Sequence, residues 1–343
     1  LGLAAEEQES WALVSELGWL LTGIPEDLGG LGMGLSGACA LHRQLGRGLA
    51  PVPFLSAMLS VEALCQSTLG DRESWLERLG SGDEYLAAPL GASRLERGVG
   101  VTDAPVLSGT VYALPSADRA SHALLWTEAQ DLVALVGLDQ SGVECLQRET
   151  WDRSRRLFEL QLQDVAVKPA HVLAEGEAAQ ALIERLLTWR DFALAAEAVG
   201  SATALLEQTI EYLGTREQFG RPLAMFQALK HRCADLKALT EAADALLEGG
   251  LARATDANYG LQSTAESRHA GRAARLLSSE ALALVAEESV QLHGGIGMTS
   301  EHQCHRYLKR ALLDQHLGCG QGQYEQALAG ELLAPVEQGD KHD

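Results

Sequence analysis

Basic residues are scarce relative to acids: 27 Lys plus Arg stand against 47 Asp plus Glu in 343 residues, a formal net charge of −20. That imbalance repels nucleic acid and anionic lipid, and it excludes both as general electrostatic partners. No apolar run approaches the roughly 20 residues needed to span a bilayer, and the acidic amphipathic start carries no basic stretch of the kind that opens a secretory leader. The six cysteines, at 39, 65, 145, 233, 304 and 319, include no C-x-x-C pair. With largely apolar neighbours they read as free thiols in a reducing compartment, and the chain as cytoplasmic. Internal repeats and low-complexity tracts are missing too, apart from a polar tail over Glu337–Asp343. The opening Leu1-Gly2-Leu3 has no initiator Met, which leaves room for a preceding segment.

What is present is globular, and the length suggests two or three domains. From Ala4 to about Gly80 apolar residues recur at helical spacing, as in Trp11, Val14 and Leu17 or Leu55, Met58 and Leu59. Residues 1–82 are therefore expected to form a small helical domain, with the glycines of Gly23–Gly32 serving close backbone packing. Between Glu84 and Val167 the period shortens to that of strands, in Ala120–Trp126, Asp131–Leu138 and Leu157–Val165, so residues 83–170 are expected to form a β domain. Long helical stretches then return in Ala179–Leu213, Ala224–Ala257 and Arg268–His293. Their broad apolar faces predict an antiparallel bundle over residues 171–343 with surface left for a subunit contact.

Thr215-Arg216-Glu217-Gln218-Phe219-Gly220-Arg221-Pro222-Leu223-Ala224-Met225-Phe226-Gln227 joins two of these helices. Gly220 and Pro222 break the helical pattern, and a second helix restarting near Ala224 would bring free N–H groups and a positive dipole end close to Arg216. Such a turn suits a bound phosphate. The densest basic cluster of an otherwise acidic chain, Arg216, Arg221, Lys230, His231 and Arg232, lies in the same stretch. Further on stand Gln291-Leu292-His293-Gly294-Gly295-Ile296-Gly297 and Arg306.

Together these segments resemble the C-terminal domain of the FAD-dependent acyl-CoA dehydrogenase family. Pro25-Glu26-Asp27-Leu28-Gly29-Gly30, Leu107-Ser108-Gly109-Thr110-Val111 and Trp151-Asp152-Arg153-Ser154-Arg155-Arg156 resemble earlier parts of it, the last as a structural ion-pair turn. The resemblance implies an α+β fold: an N-terminal helical domain, a middle β-barrel and a C-terminal four-helix bundle that also clamps FAD and oligomerises. It implies that Arg216, Gln218, Phe226 and Gln227 reach a neighbouring subunit's FAD, and that Gln291, Gly294 and Gly295 pack against its adenosine half.

The family's chemistry needs a carboxylate to remove the α proton of a thioester while flavin accepts the β hydride. The usual slot for that Glu aligns with Gly318. The alternative slot, on the helix before the Arg-x-Gln-Phe-Gly turn, aligns with Arg190, which is no base. Asp191 stands beside it, and Glu197 reads as a structural residue paired across the bundle. The family's Thr-Glu and Gly-Ser-Asp segment, which holds the flavin ring, is replaced by Tyr85-Leu86-Ala87-Ala88-Pro89-Leu90-Gly91-Ala92-Ser93-Arg94-Leu95.

Retained clamp and missing base fit the non-catalytic subunit of a bacterial α2β2 acyl-CoA dehydrogenase of the steroid side-chain type. The catalytic partner would supply base and flavin pocket and bind most of the acyl-CoA, with an electron-transfer flavoprotein as acceptor and no metal. Two alternatives stay open. One is a complete homo-oligomeric dehydrogenase with an atypical base such as Asp191; the other is a helical scaffold that no longer touches flavin.

Overall fold

The computed structural model describes residues 3–100, 104–256, 259–318 and 320–339; Leu1, Gly2, Cys319 and the end of the polar tail lie outside them. The chain divides into two compact units. One takes Leu1–Leu41, Pro51–Arg190 and Thr255–Ser263; the other takes His42–Ala50, Asp191–Ala254 and Thr264–Asp343.

In the first unit, helices α1 (Leu3–Glu16), α3 (Phe54–Gln66) and α4 (Arg72–Ser81) accompany the start of α2 (Gly34–Gly48). Helix α3 is buried from Phe54 to Leu64, a run of apolar and small residues broken only by Glu62, which pairs with Arg185. Helix α4 stops at Gly82, whose φ of 77° is the left-handed C-cap conformation that glycine adopts without penalty. In the Gly23–Gly32 turn, a Cβ at Gly30 would collide with the Ile24 carbonyl, so close packing does set that glycine.

Among the described residues eight strands follow: β1 (Leu86–Ala87), β2 (Ser93–Val99), β3 (Pro105–Pro115), β4 (His122–Trp126), β5 (Leu132–Gly137), β6 (Val143–Arg148), β7 (Leu157–Ala166) and β8 (Val172–Glu175). They form two four-stranded sheets, ordered β1-β4-β5-β8 and β2-β3-β7-β6. The barrel expectation is therefore corrected: these are two open sheets. Strand β5, buried at every residue, sits inside its sheet, and its continuous apolar run reflects cover on both faces. All pairs are antiparallel except β1 with β4. The Trp151–Arg156 turn is held by Asp152, whose Oδ1 accepts from the Ser154 N–H at 2.9 Å, while Arg156 pairs with Glu7 and Asp118.

Helix α5 (Gly176–Thr215) spans 40 residues, and the division between units falls inside it. The second unit contains its latter part together with α6 (Gln227–Ala254), α7 (Ala265–His293), α8 (Cys304–Asp314) and α9 (Gln321–Gly339). Helix α6 starts at Gln227 rather than near Ala224, because Leu223–Met225 forms a separate single turn after Pro222. Helix α7 is N-capped by Thr264, whose hydroxyl accepts from the Ser267 N–H at 3.1 Å. One apolar cluster draws on four helices: Ala202 and Leu205 of α5, Leu236 of α6, Val285 and Leu292 of α7, and Tyr307 of α8. Two polar pairs cross it. Glu197 of α5 meets Arg310 of α8 in an ion pair with both side chains almost wholly out of solvent, and Thr209 of α5 hydrogen-bonds Ser289 of α7 at 2.9 Å.

Candidate functional site

Between α5 and α6 the chain forms a two-residue hairpin, β9 (Glu217–Gln218) pairing antiparallel with β10 (Arg221–Pro222). The connecting residues, Phe219 and Gly220, have φ of 56° and 77°. Two consecutive positive φ values define the mirror-image turn whose twist matches paired strands, and Asn-Gly is its preferred sequence. Phenylalanine at the first position is strained. Its side chain is 90 % exposed, and its ring meets the Phe226 ring edge-on at 6.0 Å. The Arg221 guanidinium lies over the other ring of that pair, Phe226, at 4.1 Å.

Arg216 is exposed and makes no ion pair among the described residues; only its backbone is engaged, its carbonyl accepting from Leu223 N–H at 2.8 Å. The Gln218 amide donates to the Glu217 carbonyl at 2.7 Å, and Gln227 reaches His231 at 3.2 Å. The basic cluster is thus not uniform. Arg232 is spent on Glu288 of α7, with its Nε 2.6 Å from the carboxylate, whereas Arg216 and Lys230 face solvent.

The second segment closes α7. Gln291, Gly294 and Gly295 are exposed, and a Cβ built on either glycine would meet nothing within 4 Å. Gly294 has φ 64° and ψ −140°, a conformation essentially reserved for glycine. The turn therefore presents bare backbone to solvent. Both segments are mounted on the same core: Leu223, Ala224 and Leu229 pack against the cluster that contains Leu292. Tyr212, just before the hairpin, stacks on His293 at 4.5 Å and donates its hydroxyl to the His293 carbonyl at 3.3 Å.

The motif wording gave Tyr212 and His293 no role, and it passed over His302 and Cys304, whose ligand atoms lie with that of His293 within 4.8 Å of one another. Their only sequence signal is two histidines and a cysteine spaced across a short turn. Burial pulls the His293 pKa below the ordinary histidine value and pushes the Cys304 thiol up.

The residues at and near the base positions are placed as follows. Asp191 is 4 % exposed, and the Tyr324 hydroxyl donates to its Oδ1 at 2.6 Å. Glu197 is the buried partner of Arg310, as expected of a residue paired across the bundle. Gly318 has φ 82°, a backbone conformation that a glutamate side chain disfavours in addition to the missing carboxyl. In the segment that replaces the flavin-holding wording, Leu86, Ala87, Ala88 and Leu90 are at most 1 % exposed. Their apolar side chains are spent on the core.

The residues present therefore fit one half of FAD. An exposed guanidinium, amides and an open glycine backbone suit the pyrophosphate and adenosine. In the strand segment, no side chain from Leu86 to Leu90 could hydrogen-bond an isoalloxazine edge.

Comparison with known proteins agrees with this architecture. Residues 4–83 match the family described as Acyl-CoA dehydrogenase, N-terminal domain, and residues 180–330 match Acyl-CoA dehydrogenase, C-terminal domain. Acyl-CoA dehydrogenase IpdE2 of Mycobacterium tuberculosis is 33 % identical over 309 residues, 89 % of this chain and 80 % of that protein. Among solved structures, a Tcur3481-Tcur3483 steroid ACAD variant superposes with a TM-score of 0.83 at 29 % identity, covering 96 % of this chain and 89 % of its own. The ChsE4-ChsE5 complex from Mycobacterium tuberculosis superposes with a TM-score of 0.84 at 27 % identity, covering 95 % and 88 %. With two domain matches over most of its length and a relative one-third identical, the chain belongs to the acyl-CoA dehydrogenase family, whose members depend on FAD.

Proposed function

We propose that this chain is the clamp subunit of a heteromeric acyl-CoA dehydrogenase, an α2β2 assembly that desaturates a steroid side-chain CoA thioester between Cα and Cβ. In this reading Arg216, Gln218, Phe226 and Gln227 hold the pyrophosphate region of FAD seated in the catalytic partner, and Gln291, Gly294 and Gly295 cover its adenosine half. Bound FAD supplies the acceptor for the β hydride. The chain's own residues bind, orient and exclude water, whereas the proton acceptor and most of the acyl-CoA site belong to the partner. An electron-transfer flavoprotein completes the proposed cycle.

One contrast carries the reading: every clamp side chain and backbone is open to solvent except the half-buried Phe226, while the candidate base Asp191 and the nearby Glu197 are sealed into their own bundle. A base must reach the substrate's α proton, and a carboxylate at 4 % exposure under a tyrosine hydroxyl is built to support structure. The two heteromeric structures similar to this chain, one called a steroid ACAD, support the same assignment.

Native mass spectrometry after coexpression with a partner dehydrogenase tests it, because subunit masses and FAD number are read together. The expected result is a mixed tetramer that loses FAD on Arg216→Ala, and a chain that carries no flavin when purified alone. Stoichiometric flavin on the isolated chain, with turnover of an acyl-CoA to an artificial acceptor, would refute it. A mixed tetramer with full FAD after Arg216→Ala would instead remove the clamp role from that residue.

A further inference from the structure

We propose that His293, His302 and Cys304 form a binding site for a borderline-soft divalent cation, with zinc(II) the best fit. The inference goes beyond the clamp assignment and stands whether or not this chain completes a partner's FAD site.

His293 is 3 % exposed, its ring lying against Tyr212 at 4.5 Å and His302 at 4.2 Å. Its Nδ1 lies 2.7 Å from the Ser289 carbonyl, which can only accept; the proton therefore resides on Nδ1, and Nε2 carries a lone pair. That Nε2 is buried and has no hydrogen-bond partner among the described residues. A buried acceptor without a partner is costly, and an imidazole whose other nitrogen donates to a backbone carbonyl is the usual arrangement of a metal-ligating histidine.

Two more ligands converge on it. One ligand atom from each of His293, His302 and Cys304 lies within 4.8 Å of the other two. Two imidazoles and a thiol match zinc(II) better than harder cations, which prefer oxygen. Three protein ligands leave a fourth position for water.

Binding would exchange weak internal contacts for metal bonds. The Cys304 thiol donates to the Gly297 carbonyl at 3.2 Å, and His302 Nδ1 accepts from the Cys304 N–H at 3.2 Å. On loading, the S–H bond breaks, its proton leaves to solvent and a sulfur–metal bond forms with no change of oxidation state. His302 either gives its Nδ1 lone pair to the cation in place of the N–H, or turns to offer its other nitrogen. The ion would tie the end of α7 to the start of α8 across the Gly294–Met298 turn, the turn that presents Gly294 and Gly295.

Cobalt(II) titration of the full chain tests this, because cobalt in such a site absorbs visibly and a thiolate ligand adds a charge-transfer band in the near ultraviolet. The expected result is both absorptions, displaced by zinc(II). Cys304→Ser should abolish the thiolate band, His302→Gln should weaken binding at least tenfold, and Cys145→Ser with Cys233→Ser should change neither. Absence of the bands from the folded chain would overturn the proposal, as would bands that persist in Cys304→Ser. Should Cys304→Ser fail to fold, undiminished affinity in folded His302→Gln would overturn it equally.

Discussion

The Tyr324 hydroxyl donates to Asp191 Oδ1 across 2.6 Å, inside the helical unit and away from solvent. This ties the α9 start to α5 and engages one Asp191 oxygen. Removing the hydroxyl with Tyr324→Phe leaves a buried carboxylate short of a donor, and the expected cost is about 1–3 kcal/mol of unfolding free energy. Asp191→Asn should cost a similar amount and leave turnover of the assembled enzyme within about twofold, whereas loss of an essential base would cost far more. Denaturant unfolding beside steady-state turnover separates the two.

The Glu197–Arg310 pair makes a sharper prediction. Arg310 is 1 % exposed and Glu197 5 %, so cutting one partner takes the opposite charge of this pair away from a buried group. Arg310→Met alone is expected to destabilise by about 3–5 kcal/mol. The double change Glu197→Leu with Arg310→Met should recover most of that loss, because two apolar side chains of similar volume carry no desolvation penalty. Chemical denaturation of the single and double variants checks the sign, and a double variant no more stable than the single one would contradict it.

The helices were legible because their apolar periods run far beyond average helix length; α5 extends 40 residues. Strand β5 was legible from its continuous apolar run, which is what cover on both faces demands. How the strands join was not, since the parallel β1–β4 pair and the order β2-β3-β7-β6 are set by long-range packing that no local pattern encodes. The break between α5 and α6 could be read because Gly and Pro act locally there, but its pairing as a hairpin could not. Tyr324 as the partner of Asp191, 133 residues away, could not. Helix α6 starts three residues beyond Ala224 because the Leu223–Met225 turn satisfies backbone groups that a helix would otherwise use.

Phe219 is held at φ 56° with 90 % of its surface exposed, a conformation and an exposure that both disfavour phenylalanine. Strain retained at an exposed position is accounted for when the side chain docks elsewhere. Phe219→Asn supplies the residue this turn prefers, and it is expected to stabilise the isolated chain by up to about 1 kcal/mol. The same change should lower FAD retention in the coexpressed complex. Thermal unfolding of the chain and flavin content of the complex are expected to move in opposite directions; a loss of chain stability would contradict the strain argument.

His122 and His171 give the strand-containing unit a pH dependence. Their rings meet edge-to-face at 5.2 Å, with Trp75 against His122 at 5.2 Å. Both pKa values lie below the ordinary histidine value. For His122 burial is the main cause, followed by the charge of His171, with Lys168 acting in the same sense and Glu84 and Asp139 opposing. For His171 burial again leads, followed by Lys168, with Asp71 and a backbone hydrogen bond to Leu135 opposing. The unfolded chain therefore binds protons that the folded chain refuses. Stability from this pair is fully present above the unfolded histidine pKa near ~6.5 and is lost as pH falls through the lower folded values. Unfolding free energy measured from pH 8 down to pH 5 should fall across that window, and His122→Gln with His171→Gln should flatten the profile. An unchanged slope in the double variant would assign the dependence to other groups, because glutamine removes both titrations while keeping a polar side chain at each position.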